Sequence, residues 1–136
     1  MRLPLASAPV VHSFLAFDFG AARVGVASGN SLTRSATPLC TVAAQGEARF
    51  EAIARLIAEW QPAALVVGVP FHPDGAIHVN TERARRFGRR LKARFGLPVH
   101  EVDERYTTTA ARAEGARDLD AAAAALILEQ FLARVQ

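Results

Sequence analysis

The chain has one cysteine, one methionine, one tryptophan, one tyrosine and a single lysine, Lys92, among 136 residues. With only Cys40, no internal disulfide can form, which points to a reducing compartment and a cytoplasmic location. Cys40 lies in the apolar run Thr37–Ala43, a setting for an inert buried thiol rather than a nucleophile. The four histidines, His12, His72, His78 and His100, show no paired ligand spacing with it, which argues against a zinc site. No apolar stretch approaches the ~20 residues of a membrane span; Ala121–Leu128, among the longest, falls well short, so no membrane partner is expected. Residues Met1–Val11 lack the charged start and long apolar core of a secretion signal and suit a short flexible leader over 1–12.

What is present is apolar. Hydrophobic residues make up 51% and charged residues 21%, enough to bury a core and to exclude disorder as the main description. The length suits one domain over 1–136. The net charge of +3 conceals an asymmetry. Seven cations, Arg83, Arg85, Arg86, Arg89, Arg90, Lys92 and Arg94, follow one another with no acid among them, while the rest of the chain is acidic. A basic segment on an acidic protein is a footprint for a polyanion, with a solvated helix face as the plainer reading. Arg suits phosphate forks, but the excess of Arg over Lys also follows from GC-rich coding, as the 28 alanines do, and carries no weight here.

The apolar run Ser13–Phe19 predicts a strand buried on both faces. Gly20-Ala21-Ala22 is a turn, and Arg23–Ser28, with alternating valines, is its hairpin partner. Thr37–Ala43 is a third strand. Gly46–Trp60 predicts a helix with Phe50, Ile53, Ile57 and Trp60 on one face, ended by Pro62. Ala64–Val69 is a buried strand. Asn80 or Thr81 should cap a helix over Glu82–Phe95, with Ala84, Phe87, Leu91 and Phe95 inward and Gly96 closing it. Pro98–Asp103 is the fifth strand, Tyr106–Ala113 a short helix, and Ala121–Arg134 the last helix, with Ala124, Ile127 or Leu128, Phe131 and Val135 inward. Hairpins first and crossovers second predict an α/β fold with a mixed five-stranded sheet flanked by helices.

Against that background certain acids stand out. Asp18 is the only polar side chain from Phe14 to Phe19. Burying its charge costs several kcal/mol unless a cation or strong donors compensate; a metal ion is the simplest compensation, backbone N–H groups of the Gly20 turn the alternative. In Glu101-Val102-Asp103-Glu104-Arg105, alternation puts Glu101 and Asp103 on one face and Glu104 with Val102 on the other. An Asp103–Arg105 ion pair is expected. Asp120, before five alanines, is a natural N-cap, with Asp118 nearly as good. Three carboxylates at the ends of two strands and a final helix suggest one acidic site for a hard divalent cation. Two metals ~4 Å apart could then activate a water and stabilise the leaving oxygen of a phosphodiester.

The motifs that carry these acids resemble the YqgF family. They are Phe17-Asp18-Phe19-Gly20 with Arg23-Val24-Gly25-Val26-Ala27, Val67-Gly68-Val69-Pro70 with Asp74-Gly75, Val102-Asp103-Glu104-Arg105 with Thr107-Thr108, and Asp120-Ala121-Ala122-Ala123 leading into Leu126-Ile127-Leu128. Four motifs in order cover about Phe14 to Leu132. The resemblance implies an RNase H-like fold and a Mg²⁺- or Mn²⁺-dependent nuclease that processes pre-16S rRNA. It implies Asp18, Glu104 and Asp120 as metal-binding catalytic acids, and structured RNA first, branched DNA second, as partner. Arg23, Arg86, Arg89, Arg90, Arg105, Thr107 and Thr108 are the expected nucleic-acid contacts, on a monomer or homodimer. Two departures from the family pattern are the short Thr109–Leu119 connection, which bears on the position of Asp120, and Phe71-His72-Pro73 in the middle loop.

Two rival readings differ in class. The Asp18-Phe19-Gly20 hairpin also resembles the phosphate-binding hairpin of actin-like and sugar-kinase ATP sites, but those need two domains to enclose a nucleotide. A non-catalytic RNA-binding or ribosome-assembly protein on the same fold is the other.

Overall fold

The computed structural model describes residues 11–70, 79–104 and 118–134. Within them lie β1 (Ser13–Phe19), β2 (Val24–Asn30), β3 (Ala36–Val42), α1 (Glu47–Trp60), β4 (Ala64–Val69), α2 (Val79–Phe95), β5 (Val99–Asp103) and α3 (Leu119–Arg134). One five-stranded sheet runs in the order β3-β2-β1-β4-β5. The first three strands form an antiparallel meander, and β4 and β5 join parallel to β1. The mixed sheet is the one expected from hairpins followed by crossovers.

Strand alternation divides the core in two. Leu15, Phe17, Val26, Leu65 and Val67 point to one face, where α1 and α2 cover them with Phe50, Ile53, Phe87 and Leu91. Phe14, Ala16, Val66 and Val102 point to the other, beneath Ile127, Leu128 and Leu132 of α3. Each large side chain so buried contributes about 1.5–3 kcal/mol before the cost of ordering it. The α3 face is lined by small residues. Ala27 meets Ala124 and Ala125, which lets the helix lie close to β2.

Several boundaries differ from expectation. Helix α2 begins at Val79, ahead of the expected Asn80 or Thr81 cap. Thr81 is buried within the helix, and its hydroxyl donates to the carbonyl of Pro70 at 3.1 Å, tying α2 to the end of β4. Trp60, placed on the inward face of α1 by its spacing, is the last residue of the helix and 42% exposed. Both Ile127 and Leu128 are buried, and Leu132 lies inward beside a half-buried Phe131. The other boundaries hold to within a residue or two, and Gly96 closes α2 with φ 67°. The helix expected over Tyr106–Ala113, most of the leader and Val135 lie outside the described residues.

Candidate active site

Asp18 sits near the end of the central strand. Its register partners are Gly25 on β2 and Gly68 on β4. Alternation from Phe14 and Ala16 turns Asp18 toward α3. Cross-strand partners share a face, so all three positions look the same way. The two glycines leave the space that the other acids use. A Cβ on Gly25 would strike the backbone carbonyl of Asp120. A Cβ on Gly68 would strike Ile127 and come within 3.0 Å of the Glu104 carboxyl carbon. The row Gly25–Asp18–Gly68 is therefore roofed by the first turn of α3 on one side and by Glu104 on the other.

Glu104 follows β5 immediately. Its N–H donates to Val69 O at 3.0 Å, which extends the β4–β5 pairing by one bond. Val102 lies buried on the α3 face, and Glu104, two residues on, shares that face. Glu101 faces α2 instead, where Arg85 Nε lies 3.6 Å from its carboxylate. The choice that alternation left open between the two faces thus falls to Glu104. Arg105, the expected partner of Asp103, lies outside the described residues, as do Thr107 and Thr108.

Asp18 and Glu104 are hydrogen-bonded to each other. Burial, then the Asp18 charge, then that bond push the Glu104 carboxyl up to about 8. Burial also raises Asp18, the bond from Glu104 opposes the rise, and the Asp120 charge adds to it. In the metal-free state Glu104 is the acid that keeps the proton and donates it to the Asp18 carboxylate.

Asp120 does not cap α3. Asp118 does: its Oδ1 accepts the N–H of Ala121 at 2.9 Å, and its carbonyl accepts Ala122 N–H at 3.0 Å. The Thr41 hydroxyl on β3 donates to the same Oδ1. Burial raises the Asp118 carboxyl, but Thr41, the backbone N–H groups and Arg23 outweigh it and hold the group low. Freed from capping, Asp120 is half-buried and lies 3.2 Å from Nε of the exposed Arg23. Its charge reaches Asp18, but its carboxylate is turned to the guanidinium. Two of the three acids thus meet directly, and the third stands at the rim held by a cation. Among the described residues no three acidic, histidine or cysteine side chains are already gathered as a finished metal site.

Two predictions follow from this framework. Gly25→Ala forces α3 off β2, and we expect a loss of about 1–3 kcal/mol in urea unfolding, the usual cost of overpacking. Thr41→Val removes the hydroxyl that steadies the cap, with an expected loss of about 1 kcal/mol.

The basic segment occupies α2, on the face opposite α3. A polyanion touching both the acids and this helix must cross the edge where β1 and β4 end. Arg83, Arg86 and Arg90 follow one helical stripe, and Arg89 lies off it. Sequence reasoning missed Arg49. It sits one turn before Ile53 on the apolar face of α1, and that position was the available signal. Cys40 is half-buried, and burial pushes its thiol up, as befits an unreactive sulfur.

The profile of the RuvX family, described as Holliday junction resolvase, matches residues 12–134. A protein named "Putative pre-16S rRNA nuclease" from Polaromonas sp. is 66% identical over 122 residues, covering 90% of this chain and 88% of its own. One of the same name from Albidiferax ferrireducens is 64% identical over 129 residues, covering 95% and 83%. Among solved structures, Thermus thermophilus RuvC in complex with a Holliday junction substrate superposes with TM-score 0.54 at 16% identity. The match covers 90% of this chain and 95% of that one. At that identity the likeness establishes the RNase H-like fold.

Proposed function

Because the chain belongs to the RuvX family of Holliday junction resolvases, we propose that it is a divalent-metal-dependent nuclease that hydrolyses phosphodiester bonds in structured RNA. The processing of pre-16S rRNA is the role the names of its relatives suggest, and we place it in the cytoplasm. The observation that carries the reading is the Asp18–Glu104 pair. Two carboxyls pressed together on a half-buried sheet face, one retaining its proton, are costly unless a cation takes the proton's place.

The donor set is all oxygen, which suits Mg²⁺ or Mn²⁺ and not a soft metal. Asp18 and Glu104 would hold the ion, and Asp120 would join them by turning from Arg23. The ion would supply a water acidic enough to attack phosphorus and a charge to stabilise the leaving oxygen. The chain's own part is positional. Asp18 is fixed by hydrogen bonding on both sides of a central strand, Glu104 by its bond to Val69, and Asp120 by the capped first turn of α3. Arg23, once released by Asp120, is free to meet a phosphate at the same rim.

The test is cleavage of a structured RNA spanning a pre-16S end, beside a branched DNA of equal charge, with Mg²⁺, Mn²⁺ or EDTA. We expect metal-dependent cleavage of the RNA and none in EDTA. The Arg23–Asp120 pair favours a second reading, a non-catalytic binding protein in which the third acid is neutralised. Tight binding of the RNA without cleavage under any metal would select it.

A further inference from the structure

Across the sheet from the acids, between the start of α1 and the flank of α2, lies a cleft of about 210 Å³. Phe19, Phe50 and Phe87 line it, with ring centroids 5.1 Å apart for Phe19–Phe87 and 6.0 Å for Phe50–Phe87. Arg49, Arg83, Arg86 and Arg90 surround it. The Arg90 guanidinium lies 4.7 Å over the Phe50 ring, which fixes its plane at the wall.

Arg49 is the unusual member. It is 6% exposed, donates from Nε to Ala44 O at 3.0 Å and from Nη2 to Ala21 O at 2.9 Å, and lies 5.6 Å from the Phe19 ring. Among the described residues no carboxylate is bonded to it. Of the two acids nearest it along α1, Glu47 and Glu51, the first is paired with Arg94, whose Nη1 donates to it at 2.9 Å. Carbonyl dipoles compensate a buried cation less fully than a carboxylate does. Gly46 also lines the cleft. Its φ of 62° starts α1 with no side chain capping the first turn, and the Arg49 N–H bonds back to Gly46 O at 3.1 Å.

We propose that this cleft is a subsite for one nucleotide of the substrate strand, its phosphate held by Arg86 and Arg90 with Arg49 beneath them and its base set against the half-buried Phe19. Aromatic faces beside cationic side chains are the pairing that holds single strands without reading their sequence. Phe19 follows Asp18 in β1 with its side chain on the opposite face. A strand bound here therefore crosses the edge of β1 about 10 Å from the acids, roughly the thickness of one packed layer. The inference rests on the nuclease reading for the identity of the strand, but the cleft can be tested without catalysis.

The experiment measures binding of a fluorescein-labelled single-stranded RNA in EDTA by anisotropy, so that no cleavage enters. Two double variants remove the same charge from the same helix. Arg86→Ala with Arg90→Ala lies on the cleft; Arg85→Ala with Lys92→Ala lies off it. We expect the first to weaken binding by about tenfold or more and the second by about threefold or less. Inorganic phosphate should compete against the wild type and the off-cleft variant more strongly than against the cleft variant. Equal losses in the two doubles would overturn the subsite and leave a diffuse basic face. Loss confined to the cleft pair in a protein that never cleaves RNA would sink the nuclease reading while sustaining the subsite.

Discussion

Asp18→Asn is expected to lower metal-dependent cleavage by roughly a thousandfold while making the metal-free protein more stable. The two effects have one cause. Asp18 is a carboxylate that burial and the neighbouring Asp120 charge push up, against the bond from Glu104. An amide of the same shape keeps a hydrogen bond to Glu104 and removes the like charge. The gain, discounted for partial exposure, is about 1 kcal/mol, or about 3–5 °C in Tm for a domain of this size. Single-turnover cleavage and thermal unfolding in EDTA on one preparation read both. Glu104→Gln should show the same opposition. Full activity in Asp18→Asn would remove Asp18 from the chemistry, and a lower Tm would mean that its charge has a structural partner.

The second large effect couples pH, metal and stability. Glu104 titrates near 8 in the folded chain, above its ordinary value of 4.5. In metal-free protein the folded state therefore keeps a proton that the unfolded state gives up above about 4.5. That contribution is fully present below 4.5 and is lost as the pH rises to about 8, with at most ~1.4 kcal/mol lost per pH unit. Asp18 is raised as well and acts in the same direction. Adding Mg²⁺ at pH 8 should reverse the loss, since the ion takes the proton's place. At a hundredfold excess over Kd it stabilises by about 2.7 kcal/mol. At pH 5 the same Mg²⁺ must displace the proton and should raise the Tm far less. A Mg²⁺ effect independent of pH would show that the ion binds elsewhere, and Asp18→Asn should abolish it at pH 8.

Both predictions turn on contacts that differ in how legible they were along the chain. Asp18 was plain, because an acid inside Phe14–Phe19 has no ordinary explanation. That Glu104 and not Asp103 faces the site followed from the parity of β5 only once Val102 was seen to be buried on the α3 face. Asp120 was ambiguous, since Asp118 and Asp120 both suit a helix start. The Thr41 hydroxyl on β3, 77 positions away from Asp118, decides between them. Local propensity carries no information about such a partner. Arg49 was overlooked because a charge on α1 is ordinarily solvated. Only the approach of the Ala21 and Ala44 carbonyls buries it.

The sequence by itself determined the mixed α/β fold, the order of the strands and helices among the described residues, and the presence of an acid where no acid is comfortable. Periodicity and composition are local properties that act along one segment at a time, so they were enough. The tertiary structure alone decided which carboxyls share a proton, which aspartate is left to Arg23, and that the basic helix lies across the sheet from the acids. Those outcomes depend on the space left by Gly25 and Gly68 beside Asp18, where α3 and Glu104 close in from distant parts of the chain.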